Sequence, residues 1–219
     1  MADVHDSLRL SRARALARLE KVEDSLRAFD ELLADLQRRI VDGREDLVLP
    51  LVLARVERLQ ALELFGCDVE AIAERAAFVA EIEDLRSAHP ELSFTLAMER
   101  DLLARALLRE GRSDEALLHA HASVDAFRAY RAEKGSSAEV HLRIAELSLA
   151  NALAALGRNE EAVALVAEIV EALRALVGES RCDAAWLESA LKLRAELQRD
   201  LAEDARHPLL LLASEKMGA

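Results

Sequence analysis

Apolar residues recur along this chain at the spacing of amphipathic helices. Three apolar positions return from segment to segment, separated by seven and then three residues, which places them on one helical face. The three sets are Leu26/Ile72/Leu117/Val163, Leu33/Val79/Val124/Val170 and Leu36/Ile82/Phe127/Leu173. The pattern predicts a series of helices that each bury one stripe.

A single motif recurs four times. The segments 111–117 and 157–163 are near copies, 66–72 is a third copy, and 20–26 is a more diverged fourth, at intervals of 46, 45 and 46 residues. Each copy is preceded by an Ala-Leu pair and has a small residue at its sixth position. The pairs begin at Ala15, Ala61, Ala106 and Ala152, and the small residues are Ser25, Ala71, Ala116 and Ala162.

Each copy predicts the turn of a helix hairpin. Gly is favoured after the last helical residue, because it tolerates a positive φ, and Gly66, Gly111 and Gly157 stand at that place. Asp68, Ser113 and Asn159 are then expected as N-caps. The predicted helices lie near 4–19, 23–41, 46–65, 68–87, 91–110, 113–133, 137–156, 159–177 and 181–204.

Composition supports an all-α chain. Hydrophobic residues make up 52% of the 219 residues, aromatic residues only 3%, and there are 7 Gly and 3 Pro. Strands favour aromatic and β-branched residues, so an all-β fold is excluded and a parallel sheet is unexpected. The apolar content excludes general disorder. No apolar run approaches the roughly 20 residues of a membrane span.

The motif resembles the tetratricopeptide repeat (TPR) family, in which a turn Gly is followed five residues later by Ala. Gly66/Ala71, Gly111/Ala116 and Gly157/Ala162 match, and the resemblance covers roughly residues 5–178. The usual period is about 34 residues, and the usual Trp and Tyr of the first helix are absent here. The sequence is similar to long-helix variants found in bacterial regulators and kinesin light chains.

The resemblance implies one domain, a right-handed α-solenoid of about four antiparallel helix hairpins. The expected repeats are 4–43, 46–89, 91–135 and 137–178. A helix at 181–204 is expected to cap the last apolar face. Pro208 lies in an apolar tail, 207–219, which is expected to fold back onto that cap.

Charge and cysteine content limit the partners and the cellular location that we expect for this protein. The net charge is −12, and residues 45–219 carry all of the excess. An acidic body disfavours nucleic acid and anionic lipid as partners. Two distant cysteines and a charged N-terminus without an apolar signal core predict a soluble, cytoplasmic protein. The excess of Arg over Lys, together with much Ala, is typical of a GC-rich bacterial genome.

The resemblance also implies where a partner binds. In the family, the residue six positions before the turn Gly faces the concave groove. That position holds Arg14, Gln60, Arg105 and Asn151, and Arg18 and Arg109 stand two before the turn. Arg and Asn can bind carboxylates or peptide backbone. The alternative is a solvated helix face with intrahelical pairs, such as Asp101 with Arg105.

The leading hypothesis is therefore a non-catalytic scaffold that binds a peptide or partner protein in the groove. A second hypothesis is a regulatory sensor that responds to a signalling peptide or small ligand. A third is a structural homo-oligomer that associates through Trp186 and Leu209–Leu212. The sequence does not distinguish between these three hypotheses.

No residue pattern indicates catalysis or a cofactor. The chain has no phosphate-binding Gly loop, no HExxH and no GxSxG. His119 and His121 point to nearly opposite sides of one helix and cannot bind one metal ion together. His141 is expected at the surface. We predict no enzyme activity, no cofactor and no metal site.

Overall fold

The computed structural model describes residues 4–217, and their side chains except those of residues 136–137 and 204–217. This part of the chain contains helices and turns and no strand, so the all-α prediction is confirmed. The α-helices are α1 (Val4–Arg18), α2 (Val22–Val41), α3 (Val48–Leu64), α4 (Asp68–Leu85), α5 (Ser93–Arg109), α6 (Ser113–Lys134), α7 (Glu139–Ala155), α8 (Asn159–Gly178) and α9 (Ala184–Met217).

Short 3₁₀ turns lead into three of these helices. They span Glu45–Leu47, Pro90–Leu92 and Gly135–Ala138, directly before α3, α5 and α7. Pro90 is the first residue of its turn, where the missing N–H has no intrahelical partner to lose. The first eight helices lie within a few residues of their predicted bounds.

The turns inside the hairpins share one backbone geometry. Gly111 has φ +73°. Its N–H donates to the carbonyl of Leu108 at 3.1 Å, and the N–H of Arg112 donates to the carbonyl of Leu107 at 2.9 Å. These two bonds satisfy the last carbonyls of α5. The same pair of bonds ends α1, although its left-handed residue is Glu20, with φ +57°.

The predicted N-caps were wrong. Helices α6 and α8 begin at Ser113 and Asn159, and their caps are Arg112 and Arg158, without a side-chain bond to the backbone. Instead each arginine makes two hydrogen bonds to a glutamate three residues later. Arg112 reaches Glu115 at 2.7 and 2.6 Å, and Arg158 makes the same pair of bonds to Glu161. These charge-assisted bonds join two side chains of the first turn and leave the backbone N–H groups of the helix start uncapped by a side chain.

The last helix is longer than predicted. Its backbone stays helical from Ala184 to Met217, so the predicted end near 204 was wrong. A proline removes a single backbone N–H, and a helix can continue past it with a local bend. Ala190, Leu193 and Leu197 of α9 are buried in the cluster that α7 and α8 share. The side chains of Leu209–Leu212 lie outside the described set, so the predicted homo-oligomer contact stays a prediction.

The chain divides into two compact units, residues 1–81 and 82–219. The predicted single domain and its four repeat bounds stay predictions, and each unit is treated by itself below. In unit 1, two small clusters of described residues join α1, α2 and α3, one with Leu32, Leu36, Leu51 and Ala54, the other with Ala13, Phe29 and Ala61. In unit 2 a single large cluster joins α5 to α9.

The repeated small residues lie where helices cross. Ala116 and Ala162 have no exposed surface. Ser25 is equally buried, and its hydroxyl is satisfied there by donating to the carbonyl of Ala13 at 3.0 Å. A larger side chain there would push the two helices of a hairpin apart. Within residues 4–217, no helix is long and apolar enough to cross a membrane.

Candidate functional site

The six predicted binding residues fall into two groups, one in each unit. In unit 1, Arg14, Arg18 and Gln60 line a cavity of about 440 Å³ beside α1 and α3, here called the unit 1 cavity. In unit 2, Arg105, Arg109 and Asn151 line a cavity of about 490 Å³ beside α5, α7 and α9, the unit 2 cavity. The repeat register therefore brings three of the predicted residues together in each unit. Their binding role stays a prediction.

Further residues, both apolar and polar, complete the walls of the two cavities. Ala17, Phe29, Glu57, Ala61 and Leu64 complete the unit 1 cavity. Leu108, Leu147, Ser148, Ala155, Trp186 and Ser189 complete the unit 2 cavity. Each cavity thus combines apolar side chains with hydrogen-bonding groups, and polar groups predominate in the unit 1 cavity.

In unit 1, one of the two arginines is already engaged. Arg14 Nη2 lies 2.5 Å from Glu57 Oε1, so the carboxylate of α3 fixes the guanidinium of α1. Its Nε is buried and has no hydrogen-bond partner among the described residues. Arg18, one turn further along α1, is exposed, and the described side chains offer it no partner. Arg18 is therefore the exposed cation of this cavity.

In unit 2, Arg105 is held from two sides. Its Nε lies 3.1 Å from Asp101 Oδ2 on the preceding turn of α5. Its guanidinium carbon lies 5.8 Å from the ring centroid of Trp186 on α9, within the range of a cation–π contact. The intrahelical pair that the sequence offered as an alternative is thus present. It fixes Arg105 at the cavity wall, and the two interpretations do not exclude one another.

The carboxyl group of Asp101 is almost completely buried, with 3% of its side chain exposed. Burial is the largest influence and raises its pKa. The positive charge of Arg105 acts in the opposite direction. A buried carboxylate loses much stabilisation when its cation is removed. Arg105 therefore supports the fold of unit 2 besides facing the cavity.

Asn151 and Arg109 complete the polar side of the unit 2 cavity. The side-chain amide of Asn151 donates to the carbonyl of Leu147 at 2.8 Å, which leaves its Oδ1 to accept a hydrogen bond from a ligand. Arg109 is exposed and stands at the position of Arg18 in the repeat register. Arg18 and Arg109 are therefore the matched exposed cations of the two units.

His141 was expected at the surface, and this prediction was wrong. Its ring is half-buried and lies edge-on to Phe94, with centroids 4.9 Å apart, and stacked on Phe127 at 5.9 Å. Burial lowers the pKa of His141 and outweighs the nearby charge of Asp101. His141 is thus part of an aromatic cluster between α5, α6 and α7. The described residues contain no group of three His, Cys, Asp or Glu that could hold a metal ion.

Two residues of these cavities were missed in the sequence. Trp186 was considered only as part of a homo-oligomer contact, because it follows the last repeat and nothing local connects it with α5. Glu57 was passed over among many surface glutamates. A signal existed for Glu57, because it lies one turn before Gln60 on the same helix face. No comparable signal existed for Trp186, since only the folded chain brings it to Arg105.

Comparisons with known proteins identify the fold. Two crystal structures of a protein described as a kinesin light chain of Podosopora anserina, with nearly identical TPR-like repeats, superpose with a TM-score of 0.63 each. The second is a variant of the first. Their identities to this chain are 19% and 18%, over 100% of this chain and 98% or 100% of theirs. No family model matches the sequence, and no curated protein matches it. The chain has the TPR-like repeat fold, as its motif predicted.

Proposed function

We propose that this TPR-like repeat protein is a non-catalytic, cytoplasmic scaffold that binds a peptide or partner protein through the two cavities. The supporting observation is that both cavities are lined by equivalent positions of the repeat. Each places an exposed arginine two residues before a turn glycine, or its equivalent, beside an amide side chain of the first helix of the next hairpin. TPR-like repeats generally mediate protein–protein interactions.

The chemistry of the walls suits an extended polypeptide. Gln60 and Asn151 supply amide groups that can pair with a peptide backbone, which has both donors and acceptors. Arg18 and Arg109 supply cations for carboxylates. Phe29 and Leu64 in unit 1, and Leu108 and Leu147 in unit 2, offer apolar contacts. A salt-sensitive interaction is expected, because both arginines are exposed to solvent.

The test uses charge reversals at the exposed arginines. The purified chain is used to capture proteins from a lysate of the organism that encodes it, and the captured partner is then purified. Arg18→Glu and Arg109→Glu should each weaken that partner's affinity at least tenfold. The matched controls are Arg27→Glu in α2 and Arg174→Glu in α8, which are exposed and pair with an acidic residue of their own helix. Equal affinity of all four variants for the partner would show that the two cavities do not bind it.

A further inference from the structure

One face of α1 is apolar and open to solvent. Val4, Leu8 and Leu19 expose 75%, 64% and 67% of their surfaces. Arg12 and Ala15 are exposed beside them, and helical geometry places all five on one side of α1. These five residues are called the α1 face. A contiguous exposed apolar face of this kind is characteristic of an interaction surface.

The same face is buried on α3 and α7. On α3, Ala54 and Ala61 stand in the register of Leu8 and Ala15, and they expose 0% and 4% of their surfaces. On α7, Ala145 and Ala152 hold these two places and expose none. Within its unit, α2 packs on α3 and α6 packs on α7. The face is therefore one that a preceding helix covers in this fold, and no helix of the described residues packs on it at α1.

The covering helix of unit 1 shows what kind of partner the face accepts. Phe29 of α2 packs in one cluster with Ala61. The next residue, Asp30, accepts a hydrogen bond from Arg58 Nε at 2.8 Å. Arg12 holds the register of Arg58, it is exposed, and it has no partner among the described side chains. The α1 face thus repeats the apolar row and the cation that receive α2 on α3.

We propose that the α1 face is a docking surface for an amphipathic α-helix of another protein, which carries an apolar stripe and an acidic residue opposite Arg12. The apolar row supplies the buried area, and Arg12 supplies register and orientation, as Arg58 does for α2. A second copy of this chain fits less well. Two α1 helices packed antiparallel about their midpoint would bring the two Arg12 side chains together, and like charges at an interface repel.

The experiment uses helix α2 itself as the probe. A fluorescent synthetic peptide of residues 22–41 is titrated with the full chain, and its anisotropy is measured. The peptide is expected to bind with saturation. Leu8→Glu and Arg12→Glu in the chain should each weaken binding at least tenfold, because the first charges the apolar row and the second opposes Asp30. An Asp30→Arg peptide should recover binding to the Arg12→Glu chain.

The control is Leu118→Glu on α6, which charges a leucine of unit 2 that is 71% exposed and does not belong to the α1 face. This variant should bind the peptide as the parent does. The proposal is overturned if the peptide shows no saturable binding, or if Leu8→Glu and Leu118→Glu bind it equally. A concentration-dependent dimer, detected by light scattering and abolished by Leu8→Glu, would assign the face to a second copy and also overturn it.

Discussion

Arg105 lies over the ring of Trp186, with its guanidinium carbon 5.8 Å from the ring centroid, although 81 residues separate the two along the chain. The contact joins the first complete helix of unit 2 to its last helix. It makes the unit 2 cavity a product of tertiary packing as well as of the repeat. Trp186 is the single tryptophan, so its fluorescence reports directly on this contact.

Replacing Arg105 should destabilise unit 2. Arg105→Ala leaves the buried carboxylate of Asp101 without its cation and removes the contact with Trp186. Because Arg105 is partly exposed, we expect a loss of about 1–3 kcal/mol in the free energy of unfolding. Urea unfolding followed by Trp186 fluorescence measures it. Asp101→Asn in the same chain should recover part of the loss, whereas a parent-like melt of Arg105→Ala would refute the pairing.

The turn that ends α1 offers a stabilising change. Glu20 has φ +57°, a conformation that costs a residue with a Cβ about 1–2 kcal/mol. Glu20→Gly should therefore raise the free energy of unfolding by about 1 kcal/mol, after allowance for the greater freedom of glycine in the unfolded chain. Ala34→Gly, at an exposed position inside α2, is the control and should lower stability. If both glycines lower the melting temperature, the assigned turn is wrong.

The buried register of the repeat can be tested by size changes. Leu107 is 2% exposed and Ala116 is fully buried. Leu107→Ala should cost about 2–5 kcal/mol through the cavity that it leaves. Ala116→Leu should cost about 1–3 kcal/mol by forcing helices apart. Leu118→Ala, on the exposed side of α6, should change the unfolding free energy by less than about 0.5 kcal/mol. Similar values for all three variants would mean that the register is misassigned.

The hairpins could be predicted from sequence because their signals are local. Gly66, Gly111 and Gly157 mark the turns, and the apolar positions between them repeat in register. Helices α6 and α8 begin at the predicted residues, but their caps were placed one residue too late, because capping preferences favour Ser113 and Asn159 over Arg112 and Arg158. Propensity alone does not anticipate those caps.

Only the part of the site that the repeat encodes could be predicted from the sequence. The repeat register places Arg14 beside Gln60 and Arg105 beside Asn151, so equivalent positions give equivalent neighbours. The contacts of Trp186 with Arg105, and of His141 with Phe94, depend on how α5 meets α7 and α9. No local pattern encodes such contacts, so neither of them could be predicted from the sequence.

His141 should make unit 2 less stable in acid. Burial places its pKa below the unfolded value near 6.5, so the unfolded chain binds the proton more readily. Its contribution to stability is present above that value and is lost as the pH falls toward the folded pKa. His141→Phe removes this effect and keeps an aromatic ring. Urea unfolding at pH 8 and pH 5 should show a larger loss for the parent than for His141→Phe, and equal losses would contradict the burial of the ring.

The proposal that the partner binds through both cavities is tested most directly by isothermal titration of the captured partner into a double variant. Arg18→Glu with Arg109→Glu should weaken binding about a hundredfold or more, since each single variant is expected to weaken it at least tenfold. The control pair, Arg27→Glu with Arg174→Glu, carries the same change in charge and should bind as the parent does. Parent-like affinity in the first double variant, or an equal loss in both, would contradict the claim.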